Sequence, residues 1–217
     1  MSNAAAPVFR SPLEGCAPLQ GRLEGRTGRP LVALRDLSLC DRIGFKGTGS
    51  TPWLAAHGCD LPLHPNLLTR ADDGLTLGRL AASEYVLLSD RAAQHALLEV
   101  LRAGYRTDRP ADCYLVPKAD GQAMLELTGA RAFDVLAKMS PIDFRPQAFP
   151  AGSIAQTTCA RVTVQILHVG VEPRPAVLLL VDTSYALHLW DSLADALREF
   201  GAPGNPVGTV VQPTGGR

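Results

Sequence analysis

Few of the reactive side chains in this sequence stand at spacings that chemistry needs. The five cysteines, Cys16, Cys40, Cys59, Cys113 and Cys159, are odd in number and widely separated, with no C-x-x-C step and no neighbouring histidine pair. That pattern predicts free, mostly buried thiols, with neither a zinc site nor a disulfide framework. His57, His64, His95, His168 and His188 form no i, i+4 pair and lack carboxylates at ligand spacing. No metal site is expected, and surface or capping roles are. Neither Ser38 nor Ser184 sits in a G-x-S-x-G elbow, and no serine or cysteine has an adjacent base to activate it. Gly47-Thr48-Gly49 lacks the third glycine of a dinucleotide loop, because Pro52 occupies its place. Asp72-Asp73-Gly74 is the strongest acidic step, and Asp-Gly is also a tight-hairpin signal in which glycine supplies positive φ. Asp36 reads as a turn brace. Trp53 and Trp190 fall on predicted helices, where they serve as core or interface anchors.

Those residues must be positioned by a globular chain. Of 217 residues 46% are hydrophobic, enough for one domain of two lobes or two small domains. Twenty-one Lys plus Arg balance 21 Asp plus Glu, which argues against nucleic acid and anionic membrane as partners. The longest nearly apolar run, Ala176 to Val181, is far below the roughly 20 residues of a spanning helix, and the start carries no signal-peptide pattern. A cytoplasmic protein is expected. Residues 1–30 and 201–217 are rich in Gly and Pro and read as an extended arm and a flexible tail.

Between them the chain repeats. Ile43 to Lys46 and Met124 to Leu127 read as strands, each followed by a glycine and a short helix, Thr51 to His57 (opened by Ser50 or Thr51) and Ala130 to Met139. Gly47 and Gly129 are 82 positions apart (129 − 47), as are Leu54 and Leu136 (136 − 54). A proline-marked excursion follows in each half. Paired strands come next, Leu75 to Leu80 with Tyr85 to Leu88, and Val162 to Val169 with Val177 to Val181. Helices Ala92 to Ala103 and Ser184 to Phe200 close the halves, with Gly104 and Gly201 in C-cap positions. With opening strands Leu31 to Leu34 and Cys113 to Val116, the pattern predicts an α+β fold of two repeated βαββα-type, ferredoxin-like lobes of mostly antiparallel sheet. The lobes span residues 31–104 and 105–200.

Several runs carry a family resemblance. Leu34-Arg35-Asp36-Leu37-Ser38 and the following Arg42 to Gly47 are similar to the opening of the glycine-cleavage aminomethyltransferases. Leu125 to Ala130, Val135 to Lys138, Pro141-Ile142-Asp143, Phe149 to Gly152 and Ala155-Gln156-Thr157 resemble the sarcosine oxidase gamma subunit. Ser83 to Leu88 and Tyr185 to Leu193 fit both groups, which share a superfamily with the YgfZ-like folate-binding proteins. The resemblance runs from about Val32 to Phe200, and after Phe200 the C-terminal barrel domain of the full aminomethyltransferases is not expected.

The resemblance implies a gamma-like, non-catalytic scaffold beside sarcosine oxidase alpha, beta and delta subunits, with FAD, FMN and NAD on those partners. The alternative is a tetrahydrofolate-dependent aminomethyltransferase or small folate-binding protein. For that alternative, Asp72 and Asp73 fall near the family's catalytic aspartate, and Asp73, Tyr85, Glu172 and Arg174 are the candidate cofactor contacts. The family's Tyr-Thr-Gly-Glu segment is replaced by His168-Val169-Gly170-Val171-Glu172-Pro173-Arg174-Pro175. Arg174 stands where a ring-clasping glutamate is expected, and guanidinium has no acceptor to replace it.

Overall fold

The computed structural model describes residues 10–16, 19–20, 23–24, 29–90, 95–108, 110–170 and 175–200. The first strands are short: β1 (Leu19–Gln20), β2 (Leu23–Glu24), β3 (Arg29–Pro30) and β4 (Ala33–Asp36). The first half continues as β5 (Arg42–Lys46), α1 (Ser50–Ala56), β6 (Leu67–Arg70), β7 (Leu75–Ala81), β8 (Glu84–Ser89) and α2 (Ala96–Thr107). After β9 (Tyr114–Pro117) the second half repeats the series as β10 (Gln122–Thr128), α3 (Ala132–Ala137), β11 (Ile154–Cys159), β12 (Val162–His168), β13 (Ala176–Asp182) and α4 (Ala186–Leu197). Beside a two-stranded β2-β3 ladder, one large sheet has the order β6-β7-β8-β5-β9 and the other β1-β4-β10-β13-β12-β11, so the two halves share one strand order. Every ladder among the described residues is antiparallel. The α+β class and the repeat are as expected.

Three features differ from the expectation. Each half has a third strand, β6 or β11, ahead of its hairpin. These edge strands meet, Leu68 N–H donating to Gly152 O at 2.8 Å and Ile154 N–H to Asn66 O at 2.8 Å. The opening strands are exchanged: β4 pairs with β10 and β9 with β5, so each half's first strand lies on the other half's sheet. Finally, α2 runs through Gly104 to Thr107, so Gly104 is interior to the helix and not its cap. A Cβ at Gly104 would lie 3.1 Å from His57 Nε2 and 3.7 Å from Trp53 Cζ2, so its lack of a side chain lets α2 pack against α1. The residues ahead of His95 in the expected helix, and Gly201, lie outside the described residues.

The sheets face each other, with helices outside, in four layers. Alternate residues of β8 serve different cores: Val86 and Leu88 pack between the sheets, while Tyr85 and Leu87 pack under α1 and α2. In β13, Leu178 and Leu180 face inward, and Val177, Leu179 and Val181 face α3 and α4. A strand covered on both faces needs a continuous apolar run, which accounts for Ala176 to Val181. Trp190 is fully buried in the core under α4.

Candidate functional site

A cleft of about 1060 Å³ opens beside α2. Its walls are the β4–β5 connection (Ser38 to Asp41), the β9–β10 connection (Lys118 to Asp120) and the Glu99 to Arg106 face of α2. Arg42, at the start of β5, ties the first two together. The residue is 1% exposed. Nη1 donates to Ser38 O (2.7 Å) and Cys40 O (2.8 Å), Nε to Lys118 O (3.3 Å), and Nη2 to Ala119 O (2.9 Å) and Gln122 O. All five donors of the fork thus end on backbone carbonyls, which makes a buried cation tolerable without a carboxylate. Burial lowers its pKa all the same, opposed by nearby acidic groups, with Cys40 the largest of them.

The third wall is held by Arg102, which donates from Nη1 to Asp41 Oδ2 at 2.9 Å and to Glu99 Oε1 at 2.6 Å, and from Nη2 to Asp41 Oδ1. The hydrogen bond to Asp41 is the main reason its pKa is raised. Lys118 lays its stem over Gly44, where a Cβ would come within 2.9 Å of Lys118 Cε. It is 8% exposed, and burial lowers its pKa against the opposing pull of Glu84.

The residues singled out from sequence are not gathered here. Asp72 and Asp73 occupy the β6–β7 turn, where Asp73 Oδ1 accepts from Leu75 N at 3.1 Å and Gly74 has φ +92°. Asp73 Oδ2 also lies 3.1 Å from His95 Nε2. Tyr85 is buried in β8 with its hydroxyl 2.8 Å from Thr51 Oγ1. Leu75 pairs with Ser89 and Arg79 with Tyr85, so four residues of β7, on the order of 13 Å at about 3.3 Å each, separate the Asp73 turn from Tyr85. Glu172 and Arg174 lie outside the described residues.

The other groups make local contacts. His95 caps α2, its Nδ1 accepting from Leu97 N at 3.3 Å. His57 Nδ1 contacts Trp53 O at 2.8 Å and His188 Nε2 contacts Ala160 O at 2.9 Å. His168 departs from the expected surface role: it is 4% exposed, stacked on Phe149 with ring centroids 5.7 Å apart. Helix α1 has no side-chain cap, because its cap position is Gly49 and not Ser50 or Thr51, whose hydroxyls lie 3.4 Å from Cys113 Sγ and 2.8 Å from Tyr85 Oη. Asp36 does brace its turn, accepting from Ser38 N at 2.8 Å. All five cysteines are free, Cys40, Cys113 and Cys159 being buried. Burial pushes Cys40, Cys59 and Cys159 up to about 11, far from the thiolate a nucleophile requires. Among the described residues no group of three or more His, Cys, Asp and Glu could hold a metal, and no helix is long and apolar enough to cross a membrane.

The cleft residues Asp41, Arg42, Arg102 and Lys118 escaped the sequence reading. Their one signal was the alternation in Arg42-Ile43-Gly44-Phe45-Lys46, which marks Arg42 as facing away from the helices without revealing that a second sheet covers that face.

Known proteins share this fold. The sequence model of the GCVT N-terminal domain matches residues 67–210. The chain is 28% identical over 197 residues to sarcosine oxidase subunit gamma of Corynebacterium sp. (strain P-1), covering 89% of this chain and 92% of that one. It is 26% identical over 198 residues to the Arthrobacter sp. gamma subunit, with the same coverage of 89% and 92%. Among solved structures, a chain of the heterotetrameric sarcosine oxidase from Corynebacterium sp. U-96 in complex with pyrrole 2-carboxylate superposes with a TM-score of 0.69 at 23% identity, covering 90% of this chain and 97% of that chain. Glycine cleavage system aminomethyltransferase T from Bartonella henselae superposes with a TM-score of 0.55 at 14% identity, covering 80% of this chain and 53% of that one.

Proposed function

Since the chain belongs to the GCVT N-terminal domain family, we propose that within it this protein acts as a gamma-type subunit of a heterotetrameric sarcosine oxidase, a packing component without catalytic residues of its own. The observation that carries this reading is the end-to-end likeness to gamma subunits, 28% identity over 89% of this chain and 92% of the relative. The side chains point the same way. Asp73 serves a turn, the hydroxyl of Tyr85 is engaged by Thr51, and the thiols of Cys40 and Cys159 are held protonated by burial. The position expected for a pterin-clasping carboxylate carries Arg174.

In this reading the partners are the alpha, beta and delta subunits in the cytoplasm, and FAD, FMN, NAD and tetrahydrofolate belong to the larger alpha and beta chains. Co-expression with alpha and beta subunits followed by size-exclusion chromatography tests it, co-elution being the expected result and separation at micromolar concentration the adverse one. Calorimetry with tetrahydrofolate tests the competing folate-binding reading. No heat is expected from the isolated chain, whereas micromolar binding abolished by Asp73→Ala would replace the scaffold reading with a folate-dependent one.

A further inference from the structure

The outer edge of β9 is the counterpart of an edge that the other half closes with a strand. There the matching edge belongs to β4, and β1 covers it by pairing Leu19 with Leu34 and Gln20 with Ala33. Gly44 pairs with Val116 and Glu126 with Arg35, and Gly44 and Glu126 are 82 positions apart (126 − 44). By that repeat Leu115 corresponds to Leu34 and Tyr114 to Ala33. Among the described residues no strand pairs with the outer side of β9. Exposed edges are commonly blunted by charge, yet Tyr114-Leu115-Val116-Pro117 carries none. Tyr114 stands 52% exposed, and Leu115 and Pro117 border the cleft beside α2, which leaves room for another strand.

The direction of the backbone groups decides what can pair there. Ser89 N–H donates to Asp41 O at 2.8 Å and Gly47 N–H to Ser83 O at 2.9 Å. In an antiparallel sheet successive residues alternate sides, so odd-numbered residues of β5 bond to β8 and even-numbered ones to β9. Tyr114 and Val116 therefore turn their backbone groups to β5, while Cys113, Leu115 and Pro117 turn theirs outward. Pro117 has no N–H, and Cys113 O already accepts from Tyr105 Oη at 3.2 Å. An antiparallel copy of the same strand centred on Leu115 sets these two gaps against each other. Leu115 then exchanges two hydrogen bonds with Leu115 of the copy, and Cys113 N–H meets Pro117 O. The donor that Pro117 lacks falls opposite the carbonyl that Tyr105 already holds. On the other face Tyr114 comes opposite Val116, an aromatic and β-branched pair that stabilises sheets, formed twice by symmetry. The proline guards against other registers, in which its missing N–H would leave an acceptor unpaired.

We propose that β9 pairs with β9 of a second copy of this chain about a twofold axis at Leu115, joining their five-stranded sheets into one continuous sheet. The opposite edge strand, β6, already meets β11, so the pairing closes as a dimer and does not propagate. So short an edge buries little surface, and the dimer is a weak one. The inference does not rest on the subunit reading above.

Sedimentation equilibrium of the full chain alone, from micromolar to millimolar concentration, is expected to show monomer and dimer in exchange. Tyr114→Lys, at an exposed position, replaces both aromatic pairs with cations. It is expected to weaken dimerisation at least tenfold, with the melting temperature unchanged. A photoreactive benzoylphenylalanine at position 114, in a mixture of isotope-labelled and unlabelled copies, is expected to join the two copies at or beside Val116. A wild-type chain that stays monomeric throughout overturns the inference, as does a dimer that Tyr114→Lys leaves intact. A crosslink from position 114 to residues 201–217 of the same copy also overturns it, because the tail would then be the occupant of the edge. None of these outcomes decides co-elution with alpha and beta subunits, so the subunit reading stands or falls separately.

Discussion

Gly47 lies against the carbonyl of Asp112 so closely that a Cβ there would sit 2.1 Å from the oxygen, and Gly129 meets Leu31 O in the same way at 2.4 Å. Both glycines have positive φ, +114° and +111°. The neighbouring hydrogen bonds repeat too: Gly49 N–H donates to Asp112 O at 2.9 Å and Arg131 N–H to Leu31 O at 3.0 Å. Each contact seats the exchanged strand, β9 or β4, against the strand-glycine-helix turn of the opposite half.

Substituting either glycine should therefore loosen the exchange. Gly47→Ala and Gly129→Ala combine a left-handed backbone with a backbone overlap, so each is expected to cost about 2–4 kcal/mol. Urea unfolding would read this as a lower midpoint, and an unchanged midpoint for both would show that the close approach is not needed.

Arg42→Lys keeps the charge and loses the fork. An ammonium has three donors against five, so at least two of the carbonyls at Ser38, Cys40, Lys118, Ala119 and Gln122 lose their partner in a buried site. At about 1–3 kcal/mol per unsatisfied group, a loss of roughly 3 kcal/mol is expected. Thermal unfolding at neutral pH measures it, and stability equal to wild type would mean that the two connections do not depend on the guanidinium.

The buried thiols predict a pH window. Cys40 and Cys159 sit at about 11 in the folded chain against 9.0 ordinarily, because burial disfavours the thiolate. The folded state thus binds these protons more tightly than the unfolded state. The resulting stabilisation is complete below pH 9, fades as pH rises toward about 11, and is lost above it. Unfolding midpoints measured from pH 8 to 11 should fall more steeply for wild type than for a Cys40→Ala, Cys159→Ala double variant. Parallel curves would contradict the assignment. Thiol reagents at pH 8 should label these two cysteines only after unfolding.

Gly104→Ala sets helix propensity against packing. In the interior of an exposed helix the change gains about 1 kcal/mol. Here the new methyl meets the His57 ring at 3.1 Å, and that ring is held by its Nδ1 contact to Trp53 O. The expected outcome is a change within about 0.5 kcal/mol of zero, and a full gain would show that α1 and α2 are free to separate.

The candidate site was far less legible than the fold. Leu75 to Leu80 and Tyr85 to Leu88 declared themselves by apolar content and by the Asp73-Gly74 turn, and β7 and β8 form the expected hairpin. β6 was hidden because Leu67 is 38% exposed and the strand lies at a sheet edge, where burial writes little pattern. The cleft was hidden for another reason. Arg42 is one cation among many in the sequence, and only the meeting of two connections some 80 residues apart gives it five carbonyls to hold.

What the linear chain settled by itself was local. The spacing of Gly47 and Gly129, the amphipathic closing helices and the apolar run at Val177 to Val181 determined which segments become strands and helices, because backbone conformation and one-sided burial act over a few residues. Which sheet each opening strand joins was decided only in three dimensions. Ala33 to Asp36 and Tyr114 to Pro117 each form a four-residue antiparallel ladder, the first on β10 and the second on β5. Their pairing depends on the carbonyls of Leu31 and Asp112 reaching glycines about 98 and 65 residues away (129 − 31; 112 − 47), a contact that exists only once both halves have formed.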